Sequence, residues 1–308
     1  MDNSSEAEVA VQIRALQAGD KVAEGLPNPP PDSNGPRWRR TVVAVNAGQV
    51  VGFATLTLNP ATDSYFCDVS VDPAHRRRGI GTRLFTEVQQ LADRRLPILG
   101  RAMSSQPLRR HFAEHLGGSV LMHCPTPSID PTSTAGRHWT EAQRLPEGYQ
   151  ATPLADVPAA EIQAAWSAYF TWVHQPFGAV RAEALPTVWD DYRAGVDDHL
   201  SYLCQDADGQ IVAFSLVSPE VWDGRTFVVA ETVHRGQPLG VSLLQATVAA
   251  SLRALADQGI QRVEIEGHST DAHIPQLFRT LPASPSDPLD IYLLTPRYGG
   301  ASSLSTSG

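Results

Sequence analysis

Cysteine is scarce in this chain of 308 residues, with Cys67, Cys124 and Cys204 its three thiols. They are odd in number and far apart. No histidine or second cysteine stands at metal-ligand spacing from any of them, so neither a disulfide framework nor a metal site is expected. They read as reduced side chains packed in a core. Positive charge is also short, since 24 Lys and Arg against 33 Asp and Glu leave a net charge of −9. That balance argues against nucleic acid as the main partner, because no basic face offsets it outside one arginine-rich stretch. Long apolar runs are missing too, so neither a signal sequence nor a membrane helix is expected, and the cytoplasm is the expected location. A hydrophobic content of 42% with 19% charged residues fits a globular protein. The length suits two domains of about 150 residues.

The most informative stretch runs from Val69 to Phe85. Val69 and Val71 read as a buried strand ending at Asp72-Pro73, and Leu84, Phe85, Val88 and Leu91 form the apolar stripe of a helix. Between them Arg76-Arg77-Arg78-Gly79-Ile80-Gly81-Thr82-Arg83 forms a loop. Its glycines let consecutive N–H groups turn inward without a Cβ in the way. The helix start adds unpaired N–H groups and a partial positive charge, which together make a seat for a diphosphate. The arginines supply mobile positive charge around it. An ordinary solvated turn is the competing reading, and the order strand, Arg-x-x-Gly-x-Gly, amphipathic helix weighs against it.

The run Val-x-Pro-x-x-Arg-x-x-Gly-x-Gly, with Arg76, Gly79 and Gly81 in place, closely resembles the acyl-CoA loop of the GNAT N-acetyltransferases. The resemblance covers roughly residues 42–118. It implies that backbone amides of Arg77, Arg78, Gly79, Ile80, Gly81 and Thr82 hold the pyrophosphate of acetyl-CoA, with Arg76 among the coenzyme-binding residues. It also implies that Val69, Ser70 and Val71 pair, strand-like, with the pantetheine arm. The segment Phe112-Ala113-Glu114-His115-Leu116-Gly117 resembles a family helix end that commonly carries a tyrosine to protonate the leaving thiolate. Ala113 stands in its place.

Before that loop, Val9 to Leu16 reads as a first strand. Pro27, Pro29, Pro30, Pro31 and Pro36 then exclude the two helices that form much of the acceptor pocket in the GNAT pattern. Strands over 41–45 and 50–58 are joined by a hairpin turn at Asn46-Ala47-Gly48-Gln49. Further strands are expected over 65–71 and 98–103.

After a Pro/Ser/Thr-rich stretch the pattern restarts. A strand at 149–154, helices over 158–170 and 183–194, a hairpin through 201–217, a helix over 241–256 and strands at 262–266 and 291–294 repeat the first half. Phe214 stands where Phe53 stood, and Arg235 answers Arg76, which points to an internal duplication. The fold class expected is α/β (α+β): two tandem GNAT-like domains, each a mixed central sheet flanked by helices, the first lacking most of the early acceptor-side helices. Boundaries are placed at 1–124 for the first domain, 125–147 for an extended, solvated linker, 148–296 for the second, and 297–308 for a polar tail, with 1–8 frayed.

The second copy has the opposite defects. Trp166, Tyr169, Trp172, His174 and Trp189 are available to line an acceptor pocket. Its loop, His234-Arg235-Gly236-Gln237-Pro238-Leu239-Gly240, has Pro238 where the motif has its first glycine, and proline has no N–H to offer a phosphate. Weak or absent coenzyme binding is expected there.

An amine is protonated at neutral pH and must lose a proton before it attacks, so a base is required. Glu231 is the family-position candidate on the strand before the second loop, against the alternative of a strand-edge charge. Asp68 is the analogous candidate in the first copy, and a structural partnership with an arginine is the reading preferred for it. Tyr169 is a candidate proton donor, or a core aromatic. His174 and His234 read as ordinary packing or surface histidines. The expected function is acetyl-CoA-dependent N-acetyl transfer to an amine of a small polar molecule, by direct attack in a ternary complex with no cysteine carrier. A non-catalytic acyl-CoA-binding protein is the alternative from another class, and an active site confined to the second copy is a third reading.

Overall fold

A computed structural model of the chain describes residues 10–35, 38–221, 225–285 and 287–294. The frayed start, the polar tail and Pro36 of the sequence reading lie outside the described residues. Two mixed sheets with helices on their faces make up the fold, one for each half of the duplicated pattern.

The first sheet is built from β1 (Gln12–Ala15), β2 (Lys21–Val22), β3 (Arg39–Asn46), β4 (Gln49–Leu58), β5 (Tyr65–Val71), β6 (Ile98–Met103) and β7 (Ser119–Cys124). β4 is buried along nearly its whole length, which is why Val50 to Leu56 reads as a continuous apolar run. The β3–β4 hairpin turns through Ala47 and Gly48, both at positive φ (46° and 78°), the backbone of a type I′ turn. No α-helix occupies 16–38 among the described residues, as the prolines require. Helix α1 (Ile80–Gln90) buries Ile80, Leu84, Phe85 and Val88, and α2 (Pro107–His115) follows β6.

The second sheet takes β8 (Ser128–Ile129), β9 (Gln150–Pro153), β10 (Tyr202–Gln205), β11 (Ile211–Val221), β12 (Arg225–Thr232) and β13 (Val263–Glu266) in the order β8-β13-β12-β11-β10-β9. Helices α3 (Thr134–Ala142), α4 (Ala159–Val173), α5 (Leu185–Arg193), α6 (Gly240–Asp257) and α7 (Ile274–Thr280) pack around it. The long α6 buries Leu243, Leu244, Val248, Leu252 and Leu255 in its core.

Two expectations are corrected. The segment 125–147 is no solvated linker. β8 pairs with β13, Ser133 caps α3 by accepting from the Gly136 N–H, and Ile129 and Trp139 are buried in the second core. Ser and Thr here serve a helix start rather than an extended chain. The last strand, β14 (Leu289–Leu294), was placed with the second domain by its position in sequence. It lies instead between β6 and β7 in the first sheet, antiparallel to both. Leu-Asp-Ile-Tyr-Leu-Leu is apolar on both faces: Tyr292 and Leu294 enter the core under α1 and α2, and Ile291 enters a second cluster on the opposite face. An interior position in a sheet covered on both sides buries both sets. The buried Asp290 is matched by His123 Nδ1 at 2.6 Å.

Candidate active site

The β4–β5 and β11–β12 pairs of the duplication share one register. Phe53 pairs with Ser70 in the first sheet, and Phe214 pairs with Glu231 in the second. Asp68 therefore corresponds to Val229, not to Glu231, since Thr55 faces Asp68 where Leu216 faces Val229. The sequence pairing of Asp68 with Glu231 is corrected by one pleat. The two carboxylates point to the same face of their strands, two residues apart in the repeat.

In the first half β5 and β6 pair at Tyr65↔Ile98 and Phe66↔Leu99. Beyond those pairs the strands part, β5 staying paired with β4 on its other edge as far as Val71. The gap opens into a cleft of about 680 Å³. Of the residues expected to hold the coenzyme, Val69, Ser70, Val71, Arg76, Arg77, Gly79, Ile80, Gly81 and Thr82 line it, and Arg78 lies outside the lining. Arg77 and Gly79 take positive φ (62° and 74°), and Gly79 is the left-handed N-cap of α1 without a side-chain cap. That geometry leaves the first N–H groups of α1 to a ligand rather than to the chain. Gly81 lies against α2: a Cβ there would stand 3.2 Å from the Phe112 ring.

Sequence reasoning missed the far wall. Ser105, Arg109, His111 and His115, from α2 and the turn before it, line the same cleft, as does His75. The spacing of His111 and His115 by one helical turn was the available signal. Not one aspartate or glutamate is among the described residues that line it, so the described lining is cationic in a chain whose net charge is −9. The side chain of Asp72 caps the turn after β5 and holds His75 Nδ1 at 2.9 Å, while Arg76 Nε donates to the Val71 carbonyl at 2.9 Å. These contacts fix the loop's entry.

A small cavity of about 40 Å³ continues the gap between β5 and β6, lined by Cys67, Asp68, Val69, Gly100, Arg101, Arg109, Phe112, Ala113 and Leu294. Asp68 lies there between Arg101 (3.4 Å) and Arg109 (3.6 Å). Ala113 faces the same space, so the position of the missing tyrosine is an open corner of the cavity. Burial pushes the Cys67 thiol up, which keeps it protonated.

The second half repeats the splay and then fills it. β12 and β13 pair from Thr226↔Val263 to Val229↔Glu266 and part after that. In the gap, Asp271 accepts from the Thr232 N–H (3.3 Å) and hydroxyl (2.9 Å). Thr232 is the register equivalent of Val71. The Trp172 indole donates to the Val233 carbonyl at 2.9 Å. At the loop, the His273 ring presses on Gly240, where a Cβ would lie 2.6 Å away. The chain's own groups take the backbone positions that remain open in the first cleft.

Glu231 and Tyr169 meet around His268. Glu231 Oε1 accepts from the His268 N–H at 2.8 Å and lies 2.6 Å from its Nδ1, while the Tyr169 hydroxyl is 3.4 Å from the same nitrogen. Glu231 is fully buried, and burial with Asp271 and Glu266 nearby pushes its carboxyl well up. Burial likewise raises the Tyr169 hydroxyl and lowers His174, to about 3. The aromatics expected to line an acceptor pocket are core residues: Trp166, Tyr169 and Trp189 are buried, and Trp166 packs on Phe170, Trp189 and Tyr192. Tyr169 stacks edge-on to Phe214. Of the three candidates, Asp68 is thus the one that lies beside the cationic cleft.

Residues 12–117 match the family described as acetyltransferase (GNAT). Over 286 residues, covering 87% of this chain and 90% of the other, the chain is 28% identical to a mycothiol acetyltransferase of Saccharomonospora viridis. Among solved structures it resembles a GCN5-related N-acetyltransferase from Sphaerobacter thermophilus, with a TM-score of 0.57 at 18% identity, covering 87% of this chain and 82% of that one. It also resembles a tandem GNAT protein from the clavulanic acid biosynthesis pathway, with a TM-score of 0.53 at 19% identity, covering 85% and 84%. The fold is shared with both. Among the described residues no helix is long and apolar enough to cross a membrane.

Proposed function

We propose that this chain, whose residues 12–117 match the acetyltransferase (GNAT) family and whose fold is shared with a tandem GNAT protein, is an N-acetyltransferase that moves an acetyl group from acetyl-CoA, held in the first cleft, to an amine of a small polar molecule. The observation that carries this reading is the cleft itself. It is the wide end of the β5–β6 splay, lined by Arg76, Arg77, Gly79, Gly81 and Arg109 and by no carboxylate. A phosphate-bearing ligand fits that donor set: N–H groups at the start of α1 beside three guanidinium groups. Arg76, Arg77 and the 79–82 backbone hold the pyrophosphate, and Val69 to Val71 offer strand edges to the pantetheine arm. When bound, acetyl-CoA supplies an activated acyl group and a thiolate leaving group.

The chain's own residues do the rest. Asp68 takes the proton that an ammonium must lose before attack. The flanking guanidinium groups of Arg101 and Arg109 hold its oxygens in place and, in the space left by Ala113, put positive charge where negative charge develops. The reading takes transfer to be direct, in a ternary complex; burial pushes the Cys67 thiol beside Asp68 up, which disfavours it as a covalent carrier. The likeness to a mycothiol acetyltransferase brings an acceptor of the mycothiol kind to the head of the candidates. The cytoplasm remains the expected location. Thioester consumption, followed with a panel of amines that includes such an acceptor, tests the reading: amine-dependent turnover supports it, and coenzyme binding without turnover on any amine opposes it.

A further inference from the structure

Where the two sheets meet, Cys124, the last residue of β7, faces Glu266, the last of β13, and His268 just beyond. One ligand atom from each, Sγ, a carboxylate oxygen and a ring nitrogen, lies within 4.8 Å of the other two. Cys124 and His268 are buried and Glu266 is half-buried. His268 Nε2 is 3.8 Å from Glu266 Oε1, while its Nδ1 is held by Glu231 Oε1 at 2.6 Å. Glu231, with no exposed surface, keeps its second oxygen without a partner, as does the buried Tyr192 hydroxyl.

We propose that Cys124, Glu266 and His268 bind one divalent cation of the zinc class, which clips the end of β7 in the first sheet to the end of β13 in the second. The donor set is sulfur, imidazole and carboxylate, the mixture zinc takes, with a fourth position left for solvent. The imidazole is prepared in the manner of a metal ligand, one nitrogen fixed by a buried carboxylate and the other turned to the remaining donors. A buried carboxylate and a buried thiol beside the half-buried Glu266 are costly unless protonated or neutralised, and a dication neutralises them together. Zinc bonds of roughly 2.0–2.3 Å imply donor separations of about 3.3–3.8 Å. The His268–Glu266 distance of 3.8 Å already matches, and the three ligand atoms lie within 4.8 Å of one another. The ion ties a strand of the first sheet to one of the second, beside the point where β7 exchanges hydrogen bonds with Ser269.

The test uses the full-length chain, chelator-stripped with its thiols reduced and then titrated with Co²⁺. One Co²⁺ per chain is expected, with a near-ultraviolet sulfur-to-cobalt absorption that Zn²⁺ abolishes and a rise in thermal midpoint on adding Zn²⁺. Cys124→Ser should remove the absorption. Glu266→Gln, a milder change at a half-buried position, should weaken Zn²⁺ at least tenfold, and Glu231→Gln by about 10- to 100-fold through the imidazole it orients. No sulfur-to-cobalt absorption in the folded wild type would overturn the site. So would absorption that survives Cys124→Ser, or Zn²⁺ affinity unchanged by Glu266→Gln in a folded protein.

Discussion

Ser70 and Glu231 occupy one and the same position of a duplicated strand, each opposite a phenylalanine, Phe53 in the first sheet and Phe214 in the second. Around Ser70 the strand edge opens into a cationic cleft. Around Glu231 it is closed by Asp271, Trp172 and the buried His268. The two copies have diverged in which of them offers a backbone edge to a ligand.

Asp68 is expected to act in proton removal and not in coenzyme binding. Asp68→Asn should lower kcat by about 10²- to 10⁴-fold while coenzyme affinity stays within a few fold. Steady-state kinetics on the best amine, paired with a binding titration, separates the two. A change confined to coenzyme affinity would remove Asp68 from the chemistry.

Trp172 is expected to hold the second splay shut and to have no part in coenzyme binding. Trp172→Ala loses a hydrogen bond to Val233 and half-buried ring packing, so it should lower unfolding stability by about 1–3 kcal/mol. Urea denaturation measures that loss. First-cleft affinity should be unchanged.

Tyr292, at the far end of the sequence, should behave as a core residue of the first half. It is fully buried beside Tyr65, Leu84 and Phe85 in one cluster. Tyr292→Ala should cost about 3–5 kcal/mol, the range for emptying a large aromatic site. Hydrogen exchange should show the loss in β4, β5 and β6. Exchange faster only in the second sheet would contradict the strand placement.

Much of this was legible in the sequence, because the strand, arginine–glycine loop and helix of 69–88 are contiguous and each local signal agrees with the others. The register of the repeat could be read from Phe53 and Phe214. The place of β14 could not, since an apolar strand carries no mark of which sheet it joins, and only the match of Tyr292 and Leu294 to the first core decides it. Cys124 and His268 were invisible as neighbours for the same reason: strand exchange brings them together across the second half. The aromatics of α4 and α5 were misread because helical spacing alone does not tell a pocket wall from a packed core.

Acid should weaken the first strand's anchor. Arg14 hydrogen-bonds Asp20 and holds its carboxyl down from 3.8 to about 2. The folded value lies below the unfolded one, so the contribution is complete above the unfolded value and is lost as pH falls toward the folded one. Urea midpoints should therefore drop more between pH 4.5 and 3 in the wild type than in Asp20→Asn. Equal drops would show that the pair adds nothing measurable, as many exposed pairs do not.

Isothermal titration of coenzyme A into the full-length chain and loop variants bears most directly on the central claim. One coenzyme per chain is predicted, lost or weakened at least tenfold in Arg77→Glu and Gly81→Leu and unchanged in Leu239→Asp at the second loop. Two coenzymes per chain, or a single one that ignores the first-loop changes and disappears with Leu239→Asp, would contradict it.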